Sequence, residues 1–400
     1  MSISLCIGQC GNQVGAELLA LSQHGAAADG QTHRPCILVD SEPKVVGAIA
    51  DRVSVAGVHV EQSGRGNNWA MGYHQTTNIA LTARVLESLR KEIEVVDCYR
   101  GAILLHSLAG GTGAGLGSRL LEAIRDTYPK AYILNGCIAP SLVGDSPLQN
   151  YNALFTLRHL QTYSDAILYK DNDDVARLVA HWRGATGGVS LTEMNRLVAG
   201  DWAGLFLPSD KRPFDLGSFV TQTCPMASAK FVDVRTAYYA QRPRSKPSDS
   251  RLVALLPSTD DDAGLAAATK QLVASYPYAA TQSPCIGRHI HVRGGATAAS
   301  LTSVVKAIER AFPAPDWAPQ RIATTVSLAP PMTMSGAVTV SANGQTNAIP
   351  MLSTFVSRAA QQLHAKAYLH WYKKYGVEED YFHETLDACL DVVDAYSNLV

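Results

Sequence analysis

Eight consecutive residues, Gly110-Gly-Thr-Gly-Ala-Gly-Leu-Gly117, contain five glycines, and their chemistry is that of an anion cradle. Glycine lets the backbone approach a ligand closely and adopt turns closed to other residues. An apolar run, Ala102 to Leu105, leads in, and Leu116, Leu120, Leu121 and Ile124 follow at helical spacing. The loop therefore joins a buried strand to a helix, whose N-terminal N–H groups and dipole favour a phosphate. Ser107 and Thr112 add hydroxyl donors. No lysine stands in the loop, which excludes the GxxxxGK[ST] arrangement and leaves backbone amides plus a metal to neutralise the phosphate. A tight turn without a ligand is the plain alternative, but five glycines in eight positions exceed what a turn needs.

A second glycine turn, Gly8-Gln-Cys-Gly11-Asn-Gln-Val-Gly15, also lies between a strand and a helix. Alone it suggests a dinucleotide-binding unit with Asp40 at the end of the second strand, and hence a nicotinamide oxidoreductase. Against that rival, the G-x-G-x-x-G spacing is absent, no acid–base histidine is evident, and one dinucleotide needs no second loop at 110–117. Asp40 and Glu42, alternating carboxylates at a strand end, suit Mg²⁺ held directly or through water. Without the glycine loops they would read as two solvated acids. In Gly64-Arg-Gly-Asn-Asn-Trp-Ala-Met-Gly72, Asn67 can reach phosphate and Trp69 reads as a packing anchor. Asn172 and Asn195 could read a base, although single asparagines usually mark caps or turns.

Short apolar runs alternating with amphipathic segments must position these loops, a pattern of parallel βαβ units in an α/β fold. Strands are expected at Ile3–Ile7, Cys36–Val39, Ala102–Leu105, Tyr132–Ile138 and Ala166–Tyr169. Beyond them come Leu252–Leu256, His289–Val292, Ile322–Leu328 and Ala337–Val340. A long helix starts at Ser190 or Thr192, and the C-terminal region reads as two helices, Met351–Tyr372 and Tyr381–Tyr396, separated by Gly376. The expected division is a nucleotide-binding domain over 1–209 with a central helix at about 190–207, a second α/β domain over 210–345, and C-terminal helices over 346–400.

The 400 residues are 46% hydrophobic and 17% charged, with a formal net charge of −1, which leaves no electrostatic footprint for nucleic acid or an anionic membrane. Eight scattered cysteines without a CxxC argue against a zinc site and for a reducing compartment. No apolar run has the length of a membrane span and the N-terminus has no signal-like pattern, so a cytosolic or nuclear protein is expected.

Gly8-Gln-Cys-Gly-Asn-Gln13, Val39-Asp-Ser-Glu-Pro43, Gly66-Asn-Asn-Trp-Ala70, Gly110-Gly-Thr-Gly113, Tyr151-Asn-Ala153 and Leu369-His-Trp-Tyr372 occur in the order found in tubulins, and the chain resembles that family from residue 2 to about 399. Within it, Leu108-Ala-Gly-Gly-Thr-Gly113, Gln149-Asn-Tyr-Asn152, Ser41-Glu-Pro-Lys-Val45 and Lys374-Tyr-Gly-Val-Glu-Glu-Asp380 resemble the delta branch. The resemblance implies a tubulin/FtsZ-like fold: a Rossmann-like GTPase domain with a parallel sheet, a second α/β domain and a helical C-terminal region. It implies GTP or GDP with Mg²⁺. Gln9 and Cys10 then match the first nucleotide loop, Glu42 the Mg²⁺-linked acid, and Asn67 the γ-phosphate-sensing loop. Ser107, Gly110, Gly111, Thr112 and Gly113 match the phosphate signature. Asp145 and Gln149 fall where tubulins contact ribose, and Asn172 and Asn195 where they read guanine.

Three departures imply weaker binding than in the bulk tubulins. Leu191 stands where tubulins stack an aromatic ring, a loss of about 1 kcal/mol. Gln149 replaces a carboxylate and removes charge assistance. Ala109 replaces glycine, which would cost about 1–2 kcal/mol if the position needs a positive φ. In this family the attacking water is positioned by an acid of the next subunit; here Asp215 is the candidate, acting in trans, with a turn aspartate as its plain alternative. The short segment before Cys36 and a C-terminus without an acidic tail suggest a specialised member. Implied partners are other tubulins or centriolar proteins through longitudinal contacts, and the implied location is the cytoskeleton, at centrioles or basal bodies. A GTP-bound adaptor that neither polymerises nor turns over needs the same loops.

Overall fold

In a computed structural model of the chain, the described residues are 1–26, 35–50, 52–144, 146–184, 188–208, 212–239, 261–276, 283–318, 322–328 and 336–399. The strand expected at Leu252–Leu256 and residues 27–34 of the short segment before Cys36 lie outside them.

The strands are β1 (Ser2–Ile7), β2 (Cys36–Asp40), β3 (Gly57–Val60), β4 (Gly101–Ser107), β5 (Tyr132–Ala139), β6 (Ala166–Asp171), β7 (Phe231–Tyr239), β8 (Cys285–Arg293), β9 (Ala323–Ser327) and β10 (Gly336–Gly344). Among the described residues they form one sheet in the order β3-β2-β1-β4-β5-β6-β7-β10-β8-β9. The first six are parallel, with Leu5 of β1 opposite Ile37 on one side and Leu104 on the other. Such strands are covered on both faces, which is why they read as near-continuous apolar runs. Period-2 alternation sends Ile3, Leu5, Ile7, Val39 and Leu104 to one core, and Cys6, Leu38, Ile103 and Leu105 to the other.

The second core is closed by the first helix (Gly8–Ala26) and by the central helix (Leu191–Phe206). A capping box starts the central helix: the Ser190 hydroxyl accepts from Glu193 N at 3.3 Å and the Glu193 carboxylate accepts from Ser190 N at 3.0 Å. β7 pairs with β6 over only two residue pairs, Ile167 with Phe231 and Leu168 with Val232, before turning antiparallel to β10. Helices Asp261–Ser275 and Ala298–Ala311 pack on β7, β8 and β10 around a third core.

The C-terminal region differs from the expected pair of helices. Gln345–His364 stops, a short helix Leu369–Lys373 follows, and then Glu379–Ser397. Lys366 and Tyr368, at φ 50° and 61°, break what periodicity alone reads as one helix. The break seats Tyr372 against Tyr151, Phe155 and Phe382, beside the helix Gln149–Tyr163. That aromatic contact repays the left-handed turn.

Candidate nucleotide site

Strand order reverses between β1 and β4: the chain runs outward through β2 and β3 on one side and through β5 and β6 on the other. Ligands of open α/β sheets bind outside the carboxyl ends of the strands at such a switch point. Both glycine loops start there, one after Ile7 and the other after Ser107.

Close approach explains the glycines. Gly8 has φ +72°, and a Cβ on it would lie 2.8 Å from the Gly113 nitrogen, so the two loops touch with no room for a side chain. A Cβ on Gly110, by contrast, would meet nothing within 4 Å; that position opens onto free space. Residues Gly111–Leu116 form a π-helical turn that continues into the helix Gly117–Thr127. The first N–H groups of this turn and of the helix starting at Gly8 have no intrahelical partners and converge on one cavity.

The cavity measures about 510 Å³, within the range of small-ligand sites. Its wall brings together Gln9, Cys10, Asp40, Glu42, Asn67, Ser107, Gly110, Gly111, Thr112, Gly113, Asn172, Leu191 and Asn195. At the glycine-loop end Ser107 Oγ accepts from Ala109 N at 3.1 Å, which leaves its proton free to donate. Desolvation pushes the Cys10 thiol up to about 12, so it presents a neutral S–H. Ala109 is not among the residues at positive φ, so the alanine carries no left-handed strain there.

Asp40 is buried at the end of β2, with Ser41 N donating to Oδ1 at 2.7 Å and Asn12 Nδ2 to Oδ2 at 3.4 Å. Burial raises its carboxyl above the ordinary range, the N–H groups of Ser41 and Glu42 oppose this, and the Glu42 charge adds to it. A carboxylate destabilised by burial and a like charge is one that a cation would relieve, so the pair fits Mg²⁺. No cluster of three or more metal-ligating side chains occurs among the described residues, so phosphate oxygens and water would complete an octahedral shell.

At the opposite end Leu191, 63% exposed, and Met194 form an aliphatic wall. Asn195 Nδ2 donates to Gln13 Oε1 at 3.4 Å, and Asn172 opens the helix Asn172–Arg183 behind its cap Asp171.

Two expected residues are not gathered here, and a third lies outside the described residues: Asp145. Gln149 is buried and donates to the Ser141 carbonyl at 3.1 Å, and it does not line the cavity. Asp215 caps the helix Leu216–Thr223, accepting from Gly217 N and Ser218 N on Oδ1 and from Ser218 Oγ on Oδ2 at 2.8 Å. Partial burial works against its ionisation, but Ser218 and the Arg100 charge outweigh it and hold the carboxyl below its ordinary value.

Sequence reasoning did not single out Ser41, Arg65 and Asn152. Ser41 Oγ and Thr112 Oγ1 are 2.6 Å apart, a hydroxyl bridge from the end of β2 to the glycine loop. Asn152 is fully buried and has all four side-chain bonds made. Its Oδ1 accepts from Trp69 N at 2.8 Å and Tyr372 Oη at 2.7 Å; its Nδ2 donates to the carbonyls of Asn67 and Ala109, both at 2.7 Å. One amide thus ties the Asn67 turn and the glycine loop after Ser107 to each other and to the C-terminal helices. Its place in Tyr151-Asn-Ala153 was the available signal.

Residues 2–180 match the GTPase domain of the Tubulin/FtsZ family. The human tubulin delta chain is 26% identical over an alignment that covers 99% of both chains. The tubulin beta-1 chain of Geotrichum candidum is 26% identical, covering 98% of this chain and 94% of its own length. The tubulin gamma chain of Eremothecium gossypii is 31% identical over about half of each chain. The cavity is therefore that of a GTPase-type nucleotide domain on an α/β fold. Residues 2–180 thus carry a GTPase domain of the Tubulin/FtsZ type, and the relatives that match the chain from end to end include tubulin delta chains. No helix among the described residues is long and apolar enough to cross a membrane.

Proposed function

We propose that this chain binds GTP or GDP with Mg²⁺ in the switch-point cavity and works as a cytoskeletal, tubulin-type subunit associated with centrioles or basal bodies. The observation that carries the reading is the convergence of two glycine loops and two helix N-termini on one 510 Å³ cavity beside Asp40 and Glu42. Ser107 and residues 110–113 hold the phosphates, Asn67 senses the terminal one, and Asn172 and Asn195 read the base against Leu191. Other tubulins or centriolar proteins are its partners, through contacts along the strand direction.

Hydrolysis, in this reading, occurs only between subunits. Leu216 and Gly217 abut Gly101 and Tyr132, which begin β4 and β5, so Asp215 stands at the end of the sheet opposite the cavity. Head-to-tail stacking of subunits would bring it over a neighbour's phosphates, where a carboxylate positions water. A second reading, a GTP-bound adaptor without turnover, is favoured by the commitment of both Asp215 oxygens to a helix cap.

Nucleotide released from the purified protein, measured by chromatography at rising protein concentration, separates the two. GTP converted to GDP at a rate that climbs with concentration, and is lost in D215N, supports catalysis in trans; asparagine still caps the helix, so folding should survive. Bound nucleotide without turnover supports the adaptor. The double change G111A/T112A should abolish binding, since a Cβ on Gly111 would lie 2.5 Å from the Arg65 carbonyl oxygen. Undiminished affinity in that variant would sink the site assignment.

A further inference from the structure

Arg65 lines the nucleotide cavity and is only 2% exposed. Its guanidinium is held by neutral acceptors alone. Nε and Nη2 reach Asn78 Oδ1 at 3.1 and 2.6 Å, and Nη1 donates to Ser63 Oγ at 2.7 Å and to the Ser63 carbonyl. Among the described residues no carboxylate oxygen lies within ion-pair distance of it. Glu61, whose charge it feels, is paired with Arg84. A buried cation without an anion is expensive, and such groups persist where a ligand supplies the opposite charge.

The root of the Arg65 side chain stands beside the glycine loop. The Arg65 carbonyl accepts from Asn68 N at 3.0 Å and abuts Gly111, while Gly66 and Asn67 follow at φ 54° and 49°. A left-handed asparagine is a strained element held by its surroundings, and such strain gathers at ligand clamps. Asn78, itself buried, is fixed by its Nδ2 donating to the Gly72 carbonyl at 2.5 Å, so the acceptor that orients Arg65 cannot swing away.

We infer that Arg65 is the residue by which this chain tells a nucleoside triphosphate from a diphosphate: a fixed positive charge behind the Asn67 turn whose missing counter-ion is the terminal phosphate. The inference rests on guanine-nucleotide binding in this cavity. Arg65 needs no movement to act, because Asn78 and Ser63 have already oriented it. The terminal phosphate adds the charge that a diphosphate lacks, so the selectivity is electrostatic and weakens with salt.

Equilibrium dialysis of GTP and GDP, at fixed Mg²⁺ and ionic strength, tests it on the full chain. R65Q should weaken GTP about tenfold more than GDP, as withdrawal of one charge-assisted partner does, and R65K should recover most of the difference. S63D separates charge from scaffolding: it puts a carboxylate in place of the exposed Ser63 hydroxyl that accepts from Nη1, leaves the Asn78 bonds to Arg65 and Gly72 intact, and neutralises the guanidinium. It should reproduce the selective loss of GTP, and it decides the matter alone if R65Q does not fold. Equal weakening of GTP and GDP in S63D, or no change in either, overturns the inference while leaving nucleotide binding intact. If the unaltered chain binds neither nucleotide, the reading beneath it fails as well.

Discussion

Replacing Asn152 should show how far the Asn67 turn and the glycine loop after Ser107 depend on one buried amide. In N152L the Trp69 N–H, which is fully buried, loses its acceptor, and Tyr372 keeps only its 3.2 Å contact to the Leu148 carbonyl. The carbonyls of Asn67 and Ala109 lose their donor, but Asn67 is exposed on the cavity wall and Ala109 is half-buried, so water can reach both residues. One stranded buried donor costs about 1–3 kcal/mol and each of the other three bonds about 0.5–1.5, so a loss of about 2.5–7.5 kcal/mol is expected. N152D is the sharper probe. It preserves the acceptor facing Trp69 and Tyr372 but turns the donor toward Asn67 and Ala109 into a second oxygen facing two carbonyls. It should destabilise at least as much as N152L despite its near-identical shape. Urea unfolding followed by circular dichroism reads the stability, and equilibrium dialysis reads the expected fall in nucleotide affinity. A loss under about 1 kcal/mol in both variants, with affinity unchanged, would refute the idea that this side chain holds the loops together.

Two further predictions concern charges inside the protein. Lys170 on β6 sits between Asp201 of the central helix at 2.7 Å and Asp233 of β7 at 3.1 Å, and Arg235 bridges Asp233 and Asp174. K170M leaves Asp201 without its cation and should cost about 3–5 kcal/mol by urea unfolding; a neutral outcome would mean the network is not a seam between sheet and helix. His289 is buried on β8, and desolvation brings its imidazole down from 6.5 to about 4. Between those values the unfolded chain takes up a proton that the folded chain refuses, so stability is complete above 6.5 and drains as pH falls toward 4. That amounts to about 3 kcal/mol, and H289Q should flatten the decline; an unchanged pH profile of the midpoint would show that this histidine is not the group that titrates.

The same buried charges explain where the sequence is hard to read. The glycine loops announce themselves because glycine is placed where other residues clash, as at Gly8 against Gly113. The parallel strands do so because burial on both faces removes alternation. β7 gives neither signal: Val-Asp-Val-Arg alternates like a strand with one wet face, yet Asp233 and Arg235 are both buried. Only their partners, Lys170 and Asp174, scores of residues earlier in the chain, reveal this. Arg65 hides in the same way. An arginine in a glycine-punctuated loop reads as solvated until Asn78 is seen to hold it inside. The broken C-terminal helix is a third case, because its apolar period runs through 365–368 while the turn is imposed by packing Tyr372 onto Asn152. Residue type and spacing thus mark where a ligand's phosphate can approach. Which polar side chains are dry, and so which charge the ligand must answer, is set by contacts between distant segments. That is why the candidate site was legible as a set of loops, while the residues argued to clamp it and to weigh its terminal phosphate were not.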